Sequence, residues 1–278
     1  MPLPMIITIN ALLNLIQLPF VERAYGASIL VAVAAALLGI FVVFRGMSFF
    51  GDAISHSTLT GIAIALIIGV QPLIGAIIVS LIVALGISVV QERGLLSLDT
   101  IIGVFFSTAL ALGVILFRFI PGFRGELMGY LFGDILAVTP TDILLMLALA
   151  ITTAALFWRY YKPLLLMTIN RDIAQVRGVE TRRLDTLFFL MLAMTTALSI
   201  KIVGVVLVTP LFILPAATAK NICRSFHGML ISSMVIAVVT VIIGITLSLV
   251  VNLPTGPLIV LVGAILFVLS FFLRRSSS

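Results

Sequence analysis

Charged side chains in this chain come in clusters, and the distances between clusters set the architecture. Residues 24–44, 53–91 and 225–273 contain no Asp, Glu, Lys or Arg. An apolar helix crosses the hydrocarbon of a bilayer in about 20 residues, so the first gap holds one span and the other two hold two each. The intervening turns are legible. Gln71-Pro72 divides the second gap, and Asn252-Leu253-Pro254-Thr255-Gly256-Pro257 divides the third. Further spans are expected at 100–118, 141–158, 184–200 and 203–219. The last carries Pro210 and Pro215 and is therefore open to a break or a re-entrant course. The runs are continuously apolar and do not alternate, which excludes a membrane β-barrel. The expected fold is an all-α polytopic membrane protein of about eight or nine transmembrane helices, forming one domain over 1–278.

The polar segments assign the ends. Residues 159–183 hold Arg159, Lys162, Arg171, Arg177, Arg182 and Arg183 against Asp172 and Glu180. An excess of Arg and Lys marks the cytoplasmic side, so this loop is expected inside, with Lys220, Arg224 and the Arg274-Arg275 tail. Counting spans backwards puts Arg45 and Glu92-Arg93 inside as well, and 119–140 and 251–256 outside. Residues 5–20 are apolar but short, with prolines at 2, 4 and 19, which favours an interfacial helix for 1–20 over a span. No basic stretch precedes that segment and no small-residue cleavage site follows it, so a cleaved signal peptide is not expected. In the outer segment, the apolar run 127–132 is expected to lie along the surface or dip in. Thr139-Pro140-Thr141-Asp142 then reads as a helix start, with a threonine cap, a proline and an acid in the first turn.

Composition agrees. Hydrophobic residues make up 62% and charged ones 9%, with a mean hydropathy of +1.36, whereas soluble domains carry roughly 25% charge. A net charge of +6 would suggest a nucleic-acid partner in a soluble protein. In this chain the apolar content argues against one, and no nucleic-acid partner is expected. A single cysteine, Cys223, leaves no disulfide framework or structural zinc cluster.

Against this apolar background Asp52 and His56 stand out as the ionisable side chains between Arg45 and Gln91. At i and i+4 they share one helix face and can reach one ion. An acid within a span is costly and reads first as functional; a helix-start acid near the interface beside a hydrogen-bonded histidine is the alternative. One carboxylate and one imidazole suit a first-row divalent ion, yet zinc takes about four ligands. A second copy of the chain supplying the same pair across a twofold axis would complete the set. Beside this face Ala53, Ser57, Gly61, Ala65 and Gly69 recur every four residues, a small-residue ridge that lets helices approach closely, within one chain or between two.

The other candidates have plainer explanations. His227 lies with Lys220 and Arg224 in a basic loop, Lys201 is expected to snorkel to the outer interface, and Asp134 and Asp142 are explained by loop ends and capping. The chain contains no G-x-x-x-x-G-K-[ST], H-E-x-x-H or G-x-S-x-G, so nucleotide hydrolysis would need another polypeptide. Residues 170–178 look like a short helix, with Asn170 as cap, Asp172 in the first turn and Gly178 at the end.

Taken with its motifs, the sequence resembles the permease subunits of bacterial ABC-type importers for zinc, manganese and iron, the ABC-3 family, from about Tyr25 to Arg275. The resemblance is carried by Arg45-Gly46-Met47-Ser48-Phe49-Phe50-Gly51-Asp52-Ala53-Ile54-Ser55-His56, by Gly129-Tyr130-Leu131-Phe132-Gly133-Asp134 and by Pro215-Ala216-Ala217-Thr218-Ala219. It implies a homodimeric, multi-pass permease of the bacterial inner membrane. Two cytoplasmic ABC ATPases and an extracytoplasmic metal-binding protein would serve it, with no permanently bound cofactor. It also implies a metal path past Asp52 and His56. The loop 160–183 would contain the ATPase-coupling segment, with Asn170, Arg171, Asp172, Ala174 and Gly178 in it. The stretches 131–140 and 166–169 look most like the zinc-uptake branch; Gly46 departs from the second basic residue many relatives have there. Manganese or iron import within the family, an ion-coupled secondary metal carrier and a non-transporting membrane anchor are the alternatives.

Overall fold

The computed structural model describes residues 18–120, 129–133 and 138–273. The helices are α1 Pro19–Phe44, α2 Phe50–Ile68, α3 Pro72–Glu92, α4 Leu98–Phe117 and α5 Pro140–Ile169. They continue with α6 Arg171–Val176, α7 Thr181–Val203, α8 Val205–Ile222, α9 Phe226–Val251 and α10 Thr255–Leu273. Among the described residues, nine helices, all but α6, are long and apolar enough to cross a bilayer. Of the interfacial segment 1–20, residues 1–17 lie outside the described residues, while Pro19 and Phe20 already belong to α1. Arg124, Asp134, Arg274 and Arg275 lie outside them too.

Sequence chemistry sets most of the boundaries. Proline stands in the first turn of α1, α3 and α5, where its missing N–H costs nothing. Thr139 caps α5 in a reciprocal box with Asp142: the Thr139 N–H donates to Oδ2 of Asp142 at 2.8 Å and the Asp142 N–H donates back to the threonine hydroxyl. After α1, Gly46 takes a left-handed conformation (φ 67°). The Met47 N–H then donates to the Val42 carbonyl at 3.0 Å, closing the helix and fixing the turn into α2.

Two expectations about spans gain detail. The segment 203–219 is interrupted at its start, at Gly204, whose φ of 86° separates α7 from α8. From there α8 is continuous through Pro210 and Pro215. A side chain at Gly204 would run into the backbone of residues 131–133, so the apolar stretch around Tyr130 dips against this junction. The polar loop is also shorter than 159–183. Helix α5 runs on through Pro163 to Ile169 and α7 starts at Thr181, so Arg159 and Lys162 ride on a helix.

Helices α1, α2, α7 and α8 are the most enclosed, and α3, α4, α5, α9 and α10 surround them with mostly outward-facing apolar side chains. With lipid on the outside, association relies on close packing and interhelical hydrogen bonds. Thr58 and Ser80 join α2 to α3 at 2.6 Å, the Thr60 hydroxyl donates to the Ala109 carbonyl of α4 at 2.8 Å, and Ser88 and Thr186 join α3 to α7 at 2.7 Å. The small-residue ridge is used within the chain: a Cβ at Gly61 would lie 2.7 Å from the Gly75 carbonyl carbon, and one at Gly75 would lie 2.7 Å from the Ala65 Cβ. Ala53 and Ser57 are likewise fully buried in this chain.

Candidate functional site

Helix α2 brings the two candidate ligands into its first two turns. Asp52 stands in the first turn, where the positive end of the helix dipole favours a carboxylate, and His56 follows one turn later on the same face. Both are half-buried. The His56 ring meets the edge of Phe106 from α4, with centroids 5.0 Å apart at 84°. Its backbone carbonyl accepts from the Thr60 hydroxyl at 3.2 Å. Among the described residues, neither the Asp52 carboxylate nor the His56 imidazole has a hydrogen-bond or ion-pair partner, so both present free donor atoms to a cation. No third His, Cys, Asp or Glu joins them there, so one described chain offers two ligands.

The ion pairs gather elsewhere. Arg45, in the turn that leads into α2, places Nη1 2.8 Å from Oδ1 of Asp185 on α7. Its Nε donates to the Thr168 hydroxyl at 3.1 Å, and its guanidinium lies 4.8 Å from the Phe188 ring centre. Burial pulls the Arg45 pKa below its ordinary value, and the Asp185 carboxylate opposes that shift. Arg171, the first residue of α6, puts Nη1 2.9 Å from the other Asp185 oxygen. On the same end Arg182 pairs with Glu92 at 2.6 Å, and the Lys220 ammonium lies 4.8 Å from the Phe44 ring centre. The segments around residues 45, 92, 171–182 and 220 therefore share one end of the bundle.

Helix α6 itself is short and capped. The Asn170 side chain accepts from the Ile173 N–H at 3.0 Å, Ala174 is fully buried, and Gly178 turns the chain away with φ 77°. Asp172 stands in its first turn, and Val176 is 88% exposed, an apolar side chain offered outward from the basic end.

At the opposite end the expectation for Lys201 is corrected. It does not simply snorkel: its ammonium lies 2.5 Å from Oδ2 of Asp142, the same carboxylate that caps α5. The pair lines a cavity of about 200 Å³ with Gln71, Pro72 and Tyr130. His227 is exposed, as its basic surroundings suggested, and the Cys223 sulfur lies 3.1 Å from the Ser232 hydroxyl. The Asp185 junction escapes sequence reading because its partners are 140 and 14 residues away; the available signal was a lone acid entering an apolar run just after two arginines.

Comparison with known proteins places these features. The profile described as the ABC 3 transport family matches residues 17–274. The high-affinity zinc uptake system membrane protein ZnuB of Haemophilus influenzae is 35% identical over 250 residues, covering 89% of this chain and 95% of the relative. The manganese transport system membrane protein MntC of Halalkalibacterium halodurans is 36% identical over 259 residues, covering 93% and 89%. The solved structure of PsaBC from Streptococcus pneumoniae in complex with Fab superposes with a TM-score of 0.85 at 31% identity, covering 96% of this chain and 97% of that one.

Proposed function

The chain belongs to the ABC 3 transport family and is a permease for divalent metal ions, and we propose that zinc is its cargo, carried past Asp52 and His56. The observation that carries the pathway is the free carboxylate and imidazole on one face of the enclosed helix α2. Their donor atoms replace part of the water shell of a cation leaving the aqueous phase, and the negative charge offsets part of its burial cost. Two ligands hold an ion only loosely. A second copy presenting the same pair would make two carboxylates and two imidazoles, a set that zinc accepts in tetrahedral geometry. A site that binds briefly is what a conduction path needs, because a tight cage would not release its ion.

Zinc rests on the resemblance of 131–140 and 166–169 to the zinc-uptake branch, since a carboxylate and an imidazole serve zinc and manganese alike. Manganese is the second reading, favoured by the MntC relative at 36% identity against 35% for ZnuB. The chain has no phosphate-binding loop of its own, so an ATPase partner supplies the energy. Its landing place is α6, capped by Asn170, ended at Gly178 and exposing Val176 at the arginine-rich end, which faces the cytoplasm by the positive-inside rule. A metal-binding protein delivers the ion at the opposite end.

The test is ion uptake by proteoliposomes holding this chain with its ATPase and binding protein, offered zinc or manganese with and without ATP. The proposal predicts ATP-dependent uptake that prefers zinc. A preference for manganese replaces the cargo and keeps the path, whereas uptake indifferent to ATP indicates a secondary carrier. Cross-linked pairs of chains binding zinc more tightly than isolated chains would support the shared site; equal affinity would remove it.

A further inference from the structure

Asp185 is nearly buried and belongs neither to the metal pair nor to α6, yet it touches elements connected to both. One oxygen meets Arg45, which opens the turn leading into the Asp52 helix; the other meets Arg171, which opens α6. The two contacts differ in kind. The Arg45 side chain is 10% exposed, donates a hydrogen bond to Asp185, and is held further by Thr168 and the Phe188 ring. The Arg171 side chain is 43% exposed, meets the second oxygen at 2.9 Å, and has neither the threonine hydroxyl nor the aromatic ring that hold Arg45. The inner contact is thus fixed and the outer one releasable. A cavity of about 300 Å³ beside Arg45, Gln91, Thr168, Arg171 and Asp185 leaves the charged heads room to move.

Beyond Arg45 the link is stiff. The turn is closed by the Met47 N–H to Val42 carbonyl bond and by the Phe50 N–H to Met47 carbonyl bond, both 3.0 Å. Met47 and Phe50 are fully buried, and the Phe50 ring packs on Phe189, one turn along α7 from Asp185, with centroids 5.0 Å apart. A displacement of α7 at Asp185 is therefore felt at the first residue of α2, two residues before Asp52.

We infer that Asp185 is a positioning residue for transport: it joins Arg171 of the ATPase-docking helix to Arg45 of the metal-bearing hairpin, so that movement of α6 reaches Asp52 and His56. This rests on the importer reading above. When α6 moves with the ATPase, the Arg171 contact pulls on Asp185 or lets it go, giving the junction the two arrangements that coupling requires. Arg45 stays with Asp185 in both.

The experiment measures zinc ions moved per ATP hydrolysed by the reconstituted complex. Arg171→Gln removes the outer contact and leaves the buried pair in place, so folding is not at stake. The ratio is expected to fall at least about fivefold, the lower end for a coupling contact. Arg171→Lys, which keeps the charge, retains most of the ratio. Asp185→Asn, which weakens the contacts to both arginines, lowers it at least as much, and Arg171→Gln adds nothing in that background because its ion pair is already gone. An unaltered ratio in Arg171→Gln overturns the inference, as does equal impairment by Gln and Lys, which would trace the effect to side-chain shape in the ATPase groove. Wild-type uptake without ATP would overturn the importer reading itself, and this inference with it.

Discussion

Placing a methyl group at Gly61 tests whether the metal-bearing helix is held by backbone contact with α3. In Gly61→Ala the new Cβ would lie 2.7 Å from the Gly75 carbonyl carbon, closer still to its oxygen, and 3.0 Å from the Val79 Cβ. Ordinary contact begins near 3.4 Å, so the two helices must part by about 0.7 Å or more. The obstructing atoms are backbone and cannot swing aside as a side-chain tip would. Overpacking of this kind costs about 1–3 kcal/mol, and the upper half of that range is expected here. Parting α2 from α3 also strains the Thr58 to Ser80 hydrogen bond of 2.6 Å, three residues away. Gly103→Ala on α4 is the control, because its Cβ would meet nothing within 4 Å. Gly75→Ala should match Gly61→Ala, and the double variant should cost less than the sum, since one separation accommodates both methyl groups. The assay is unfolding of the purified chain in detergent, with metal uptake as a second readout. Equal stability of Gly61→Ala and Gly103→Ala would refute the close-contact account.

Three further substitutions probe the ends of the bundle. Asp185→Leu leaves Arg45 buried without its counter-charge and should cost about 3–5 kcal/mol. Arg182→Gln, whose own side chain is exposed in its pair with Glu92, should cost less than about 1 kcal/mol; similar losses in the two variants would contradict the burial difference. Thr139→Ala removes the cap of α5 and one of the bonds that hold Asp142, and should cost about 1 kcal/mol in the same unfolding assay. No measurable loss would mean that the Lys201 pair and the backbone N–H of residue 139 suffice to secure Asp142.

Much of this architecture was legible because membrane insertion writes itself into local sequence. A charge-free stretch such as 225–273 had to hold two helices, and its turn at Asn252, with φ 56°, falls where proline and glycine cluster. Thr139 and Asn170 were readable as caps because a cap is a bond between near neighbours. The prolines of α8 do not mark the break, for a related reason. Proline removes one helical donor, a local cost, but neighbouring helices hold α8 together: its backbone at Phe212 packs directly against Gly39 of α1. The true break at Gly204 depends on residues 131–133 arriving from elsewhere in the chain, which no local pattern records. The candidate site divides in the same way. Asp52 and His56 are one helical turn apart and announce themselves, whereas Arg45, Arg171 and Asp185 meet only in the folded bundle. Lys201 looked like an isolated interfacial cation because its partner Asp142 lies 59 residues earlier.

The central claim is that metal passes Asp52 and His56, and ATP-driven uptake of radiolabelled zinc by the reconstituted complex tests it most directly. Wild type should be compared with Asp52→Asn and His56→Asn, each checked for assembly with the ATPase. Asp52→Asn keeps side-chain size while removing the charge, and His56→Asn removes the imidazole donor with a smaller polar side chain. The account predicts normal assembly with uptake reduced by at least about tenfold in each, equivalent to about 1.4 kcal/mol per lost ligand. Uptake at the wild-type rate in assembled Asp52→Asn would contradict it, and would move the path of the ion away from α2.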